Sequence, residues 1–223
     1  MKRGQVDAPI ELFVAVIVLT ASMSLAFYLM QQTDQGKCVA TLKTETEKLQ
    51  AAMLDIALAS PPTYRTVSFE MPRCGDVNVQ VLQFVYYSEP QDCRLCPAHY
   101  GGCWQIVPVS VNAQGQYAVV VDAVSCVQMS GDIWLTSTGC EDSIDLGEAP
   151  CPPGTIGCTA ETTGIPERVW NGNPQDSPSR WLTLGKQEGS RVYTITLTKT
   201  APIQSEGGEA GGIRVCVNPA NQA

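Results

Sequence analysis

Histidine is nearly absent: His99 is the only one in 223 residues. A Ser-His-Asp triad would have to recruit that single imidazole, and no Gly-x-Ser-x-Gly elbow accompanies it. Neither a P-loop nor a dinucleotide-binding fingerprint occurs, so no enzymatic activity and no cofactor are expected. Charge is also scarce. Only 16% of residues are Asp, Glu, Lys or Arg, and after Lys37 the basic residues are scattered singly. With a net charge of −8, this spacing argues against a nucleic-acid or anionic-lipid surface, which needs clustered cations. No Asn-x-Ser/Thr sequon occurs, which excludes N-glycosylation at that motif, and no internal repeat stands out.

Two things are plentiful, apolar sequence at the N-terminus and cysteine. Leu12 to Met30 contains no charged residue, and a helix of that length nearly crosses a hydrocarbon core of ~30 Å. Lys2 and Arg3 precede it and the next positive charge is Lys37, so the positive-inside rule puts the N-terminus in the cytoplasm and the rest outside. A cleaved secretory signal is the competing reading. Its apolar run is usually shorter and ends in small residues, whereas this one ends in Phe27-Tyr28-Leu29-Met30, so retention of the helix is preferred.

Beyond it, Val39, Leu42, Thr46, Leu49, Met53 and Ile56 recur at helical spacing among good helix formers, up to the stop at Ser60-Pro61-Pro62. One long helix from Pro9 to Ala59 is expected, with Gly36 as the place for a kink. After Pro62 the period changes to two. The stretches TYRTVSFEM, DVNVQVLQFVYY, WQIVPVSV, QYAVVVDAV, RVYTITLTKT and GIRVCV read as strands. Asn112-Ala113-Gln114-Gly115 reads as a hairpin turn, and QSEGGEAGG at 204–212 as a hairpin or flexible loop. Residues 139–190 have no clear period and read as a loop-rich insert. The fold class is therefore α+β: a long hydrophobic N-terminal helix, then an antiparallel β-sheet head spanning 61–223 and stapled by disulfides.

The short basic leader Lys2-Arg3-Gly4-Gln5 directly before the apolar run resembles the class III leader of archaeal type IV pilin-like proteins. The resemblance covers residues 1 to about 59. It implies cleavage between Gly4 and Gln5 by a prepilin peptidase, leaving a membrane or filament-core helix over 5–31 and an amphipathic continuation over 32–60. It also implies that the chain is a major or minor subunit of an extracellular filament involved in cell adhesion. Leu12, Phe13, Val14, Val16, Ile17, Val18 and Leu19 would pack against copies of the chain or other pilins, with pilus assembly machinery as a further partner. The rival is a single-pass membrane-anchored protein whose extracellular part binds a ligand or partner without polymerising.

The ten cysteines are Cys38, Cys74, Cys93, Cys96, Cys103, Cys126, Cys140, Cys151, Cys158 and Cys216. An even number, outside the membrane, favours disulfides. The segment CRLCPAHYGGCW also offers Cys93, Cys96, His99 and Cys103 as a compact zinc set, the alternative to oxidation. Haem attachment fails because Pro97 stands where Cys-x-x-Cys-His needs histidine. Local pairings that suggest themselves are Cys151 with Cys158, and Cys93 or Cys96 with Cys103. Cys38 needs a distant partner to tie helix to head, and Cys216 would anchor the last strand. Tyr86, Tyr87, Tyr100, Trp104, Trp134, Trp170 and Trp181 are read as core or cross-strand residues in preference to a ligand platform.

Overall fold

The computed structural model describes residues 7–74, 77–93, 95–97, 102–112, 114–141, 143–144, 146–149, 179–205 and 208–220. Helix α1 (Asp7–Leu58) is 52 residues long, about 78 Å at the standard rise, and passes through Gly36 without a break. Its two halves live in different surroundings. From Leu12 to Met30 the large apolar side chains are all at least half exposed, from 50% at Ile17 to 68% at Leu12. From Cys38 to Ile56 one stripe is completely covered: Cys38, Leu42, Thr46, Leu49, Met53 and Ile56. The sequence pattern placed Val39 on that stripe; Cys38 takes the place and Val39 is half-buried.

Eleven strands follow among the described residues: β1 (Thr63–Glu70), β2 (Arg73–Cys74), β3 (Val77–Tyr87), β4 (Cys103–Val111), β5 (Tyr117–Val119), β6 (Ser125–Val127), β7 (Trp134–Thr136), β8 (Gly147–Ala149), β9 (Arg180–Gly185), β10 (Val192–Ser205) and β11 (Gly208–Pro219). They form two sheets. The first has the order β1-β10-β11-β7; the second has β5-β4-β3-β9-β8, with β2 on β3 and β6 on β4. All pairings are antiparallel except β7 with β11, which is parallel and departs from the all-antiparallel expectation. The hairpin expected at 204–212 continues the β10–β11 ladder to Ser205 opposite Gly208. Within the stretch 139–190, expected as a loop-rich insert, lie β8 and β9, and β9 sits beside β3 inside the second sheet.

The main core lies between the helix stripe and the facing sides of both sheets. It includes Phe69 from β1, Tyr193, Ile195 and Leu197 from β10, Ile213, Val215 and Val217 from β11, and Leu82, Phe84, Trp104 and Ile106 from the second sheet. A second cluster covers the other face of β3 and β4, with Val81, Val85, Tyr87, Val107 and Val109 packed beside Cys93, Cys96 and Cys103. Strand β3 is thus buried on both faces from Val81 to Tyr87, where burial no longer alternates. Pro108 is tolerated inside β4 because one side of that strand is shared between β6, at residues 104–106, and β5, at residues 109–111. The missing N–H falls at the junction of these two short neighbours.

The helix is docked by a polar seam as well as by apolar contact. Thr46 Oγ1 lies 2.9 Å from the Ala123 carbonyl and accepts a hydrogen bond from Ser125 Oγ at 2.9 Å. Gln50 Nε2 donates to the Cys126 carbonyl at 2.7 Å. At the far end of the helix, which has no basic residue in its last turn, Lys199 from β10 donates to the Ala57 carbonyl at 2.9 Å. A cation there offsets the partial negative charge of the helix C-terminus. The exposed Arg65–Asp55 pair contributes little to stability but fixes the start of β1 beside the helix end. Replacing Thr46 by the isosteric, apolar valine is expected to destabilise the head by about 1–3 kcal/mol, because the Ser125 hydroxyl and Ala123 carbonyl lose a buried partner. The denaturant midpoint of T46V measures this; an unchanged or raised midpoint would show that the seam is not needed.

Candidate functional site

Three features could carry function: the exposed apolar helix, the cysteine-rich segment and an aromatic cluster around Arg180. In the helix, all seven assembly candidates lie on the exposed half: Leu12, Phe13, Val14, Val16, Ile17, Val18 and Leu19. Two hydroxyls in this stretch bond back into the helix. Thr20 Oγ1 reaches the Val16 carbonyl at 3.0 Å, and Ser24 Oγ reaches the Thr20 carbonyl at 2.9 Å. The helical backbone and these two hydroxyls therefore need no water, which suits a hydrocarbon or helix-packed environment. The helix is long and apolar enough to cross a membrane, and none of its apolar window is buried in the chain. Gly4 and Gln5, the processing site implied by the leader, lie outside the described residues.

The cysteine-rich segment is oxidised. Cys93 bonds to Cys103, ten residues away, and Cys96 bonds to Cys126, 30 residues away. A third bridge joins Cys140 to Cys216, 76 residues apart. Cys38 is disulfide-bonded too. These bonds remove the zinc alternative: the sulfurs of Cys93, Cys96 and Cys103 are shared with other sulfurs and are not thiolates. The fourth member, His99, lies outside the described residues, as do Tyr100, Cys151, Cys158 and Trp170; of Cys74 only the backbone is described. Cys140–Cys216 ties the start of the insert to β11, and Cys96–Cys126 ties the segment to β6, next to the Gln50 contact with the helix.

Gly102 shows why the segment needs glycine before Cys103. Its φ is +91°, and a Cβ there would stand 2.0 Å from the Tyr87 carbonyl oxygen. The close approach lets the chain turn directly into β4, opposite the end of β3.

The aromatic residues divide in the way the strand pattern suggests. Tyr86 and Trp104 are buried on neighbouring strands with ring centroids 5.2 Å apart. What the sequence did not reveal is the cation between them and the first sheet. Arg180, opposite Tyr86 at the start of β9, lies 4.2 Å from the Tyr86 ring centroid, 5.5 Å from Trp104 and 4.5 Å from Trp134 of β7. Its guanidinium donates to the Ile133 carbonyl at 3.1 Å and to the Gly131 carbonyl. Burial lowers the Arg180 pKa, while Tyr86 and, more weakly, Asp132 favour the charged form. The π faces and two carbonyls thus replace water around a charge that, among the described residues, has no carboxylate in contact. The cluster occupies the join between the two sheets and is filled by the chain's own arginine, so it reads as a structural clamp. Little in the local pattern signals it, because Arg180 ends a loop-rich stretch and the three rings come from three other strands.

Two expectations follow from these sites. Arg180→Ala is expected to cost about 3 kcal/mol, and Arg180→Lys to recover less than half, since one ammonium cannot both lie against the rings and reach two carbonyls. Urea unfolding of both variants checks this. Removing the bridges singly as Cys→Ser pairs should destabilise in the order of loop length: about 4.5 kcal/mol for Cys140–Cys216, about 3.6 for Cys96–Cys126 and about 2.7 for Cys93–Cys103. Guanidinium unfolding under non-reducing conditions would show whether that order holds. No family model, curated protein or solved structure matches the chain, so the functional reading rests on these residues.

Proposed function

We propose that this chain is a structural subunit of an extracellular type IV pilus-like filament, assembling through its N-terminal helix. The observation that carries the reading is the continuity of α1. One uninterrupted helix presents an uncovered apolar half and then becomes the core of the head. The apolar half is suited first to a bilayer and then to packing against copies of itself or other pilins. Small residues such as Ala15, Ala21 and Ala26, set among the exposed apolar side chains, allow close helix approach in either setting. The described disulfides suit the outside of the membrane. The basic leader adds the processing step: a prepilin peptidase cutting between Gly4 and Gln5 would leave the whole apolar helix on the mature subunit. The work of such a subunit is assembly, with no reaction catalysed.

Intact mass of the protein from cells that possess a prepilin peptidase tests this. The expected species lacks residues 1–4 and ten hydrogens, for five disulfides, and is found in sheared filaments. Ile17→Asp is expected to abolish the filament fraction while leaving the unfolding midpoint of the head unchanged. An uncut N-terminus, or a processed chain that stays entirely in the membrane as a monomer, would favour the non-polymerising anchored protein.

A further inference from the structure

In the sequence no two basic residues beyond Lys37 are neighbours, yet the fold gathers three of them. Arg73 is on β2, Lys186 follows β9 and Arg191 precedes β10. Backbone hydrogen bonds knit these points together: Met71 N–H to the Arg191 carbonyl at 2.8 Å, Lys186 N–H to the Gln80 carbonyl at 2.7 Å, and Val79 N–H to the Pro72 carbonyl at 3.2 Å. The turn between Lys186 and Arg191 is pinned by Tyr193, whose hydroxyl accepts from Gln187 N–H at 2.8 Å. The cations feel one another. Burial lowers the Lys186 pKa, and the charges of Arg191 and Arg73 lower it further. Among the described residues, none of the three lies in salt-bridge contact with a carboxylate.

The register shows which end of the head this is. Thr63 and its partner Lys199 lie beside the helix end, through Lys199 to Ala57 and Arg65 to Asp55. From there β1 runs back along α1, and β2 still touches the helix. Eight residues of strand cover about 23 Å, equivalent to about 15 residues of helix, so the Glu70–Val192 end lies near residue 42 of α1. That is about 18 Å along the axis beyond Met30, where the apolar run stops. A headgroup layer takes up roughly 5–8 Å of this distance.

We infer that Arg73, Lys186 and Arg191 form a cationic surface on the membrane-proximal end of the head that rests on anionic lipid headgroups while the subunit is held in the bilayer. The inference rests on the membrane-spanning reading of α1 but not on polymerisation. It reverses the expectation, drawn from dispersed basic residues, that no anionic-lipid surface exists. Lys37 on the helix adds to the same end; Asp34, Glu70 and Glu188 share it and reduce the net charge, in a chain that is otherwise strongly acidic. Lipid is favoured over a protein partner because the surface flanks the point where the apolar helix emerges, about 10–13 Å beyond the headgroup layer by these lengths, a distance that a head-down tilt closes.

The test uses the full chain in nanodiscs of phosphatidylcholine, or of phosphatidylcholine mixed equally with phosphatidylglycerol. A genetically encoded fluorophore at the exposed Gln187 is paired with an acceptor on the lipid headgroups. Energy transfer is expected to be higher with phosphatidylglycerol and to fall as salt rises from ~0.05 to ~0.5 M. The triple variant R73Q/K186Q/R191Q should reduce the head-down population about tenfold or more, whereas K48Q/R65Q/K199Q, with the same charge change farther toward the other end of the helix, should not. The exposed single variant R73Q should show a smaller loss of the same sign, should the triple fold poorly. Equal transfer in both lipids from an inserted chain would overturn the inference while leaving the membrane reading intact. Transfer that follows protein density instead of lipid charge would assign the surface to a neighbouring copy and overturn it as well. A chain that fails to insert in either nanodisc would remove both readings.

Discussion

The stripe from Cys38 to Ile56 on α1 is the interaction on which the rest of the head depends. Six residues of one helix face lie fully covered between two sheets, and both sheets turn their apolar sides toward it. Neither sheet has another way to bury that surface. The first sheet is only four strands wide and faces solvent with a row of threonines and serines on its far side. At about 25 cal/mol per Å2 of apolar area, a buried leucine or isoleucine at such a position stabilises by roughly 1.5–3 kcal/mol. Leu42, Leu49, Met53 and Ile56 are therefore a large part of what holds the sheets together. The head cannot be separated from the helix without exposing them.

The same dependence explains where the polar devices stand. Thr46 interrupts the apolar stripe at its middle, and its bonds to Ala123 and Ser125 fix the helix in one register against β6. A wholly apolar stripe could slide by a turn at modest cost; a buried hydroxyl that has a partner in only one position cannot. Arg180 has a comparable role between the sheets, where its guanidinium takes aromatic partners from three strands and carbonyl partners from the turn before β7. The disulfides act at a third level. Cys96–Cys126 and Cys93–Cys103 secure the cover over the far face of the second sheet, and Cys140–Cys216 secures the start of the insert. In a 223-residue chain with half of a long helix outside the core, these links limit the freedom of the loop-rich parts that packing controls least.

Local pattern carried most of the fold. The helix stripe, the strands β1, β3, β4, β10 and β11, and the turn at Asn112 to Gly115 all follow from spacings within a short window. The register of Cys38 in place of Val39 was one residue away from the pattern, since a cysteine counts as an apolar residue only once its sulfur is seen to be bonded. Strand β9 was hidden because its six residues, RWLTLG, follow a long proline- and glycine-rich stretch and are too few to show a period. The parallel pairing of β7 with β11 joins segments about 80 residues apart in the chain. No local rule carries that information. The cysteine pairing shows the same division. Cys93–Cys103 is short enough to suggest itself, whereas Cys96–Cys126 and Cys140–Cys216 depend on which strands become neighbours.

Charge is the clearest case of a property that spacing along the chain misrepresents. Arg73 is separated from Lys186 and Arg191 by more than a hundred residues, and a linear scan reports isolated cations in an acidic protein. The antiparallel ladders bring chain ends to the same edge whatever their distance in sequence, so three strand ends here collect three cations. Their position follows from the helix as well. Because β1 returns along α1 from Ala57 toward the apolar half, whatever lies at the Glu70 end must face the place where the helix leaves its apolar surroundings. An acidic head would be repelled from an anionic bilayer if its charge were spread evenly. In a subunit held in the bilayer, concentrating cations at the end nearest the surface would remove that conflict, while the acidic remainder would keep the outward face soluble.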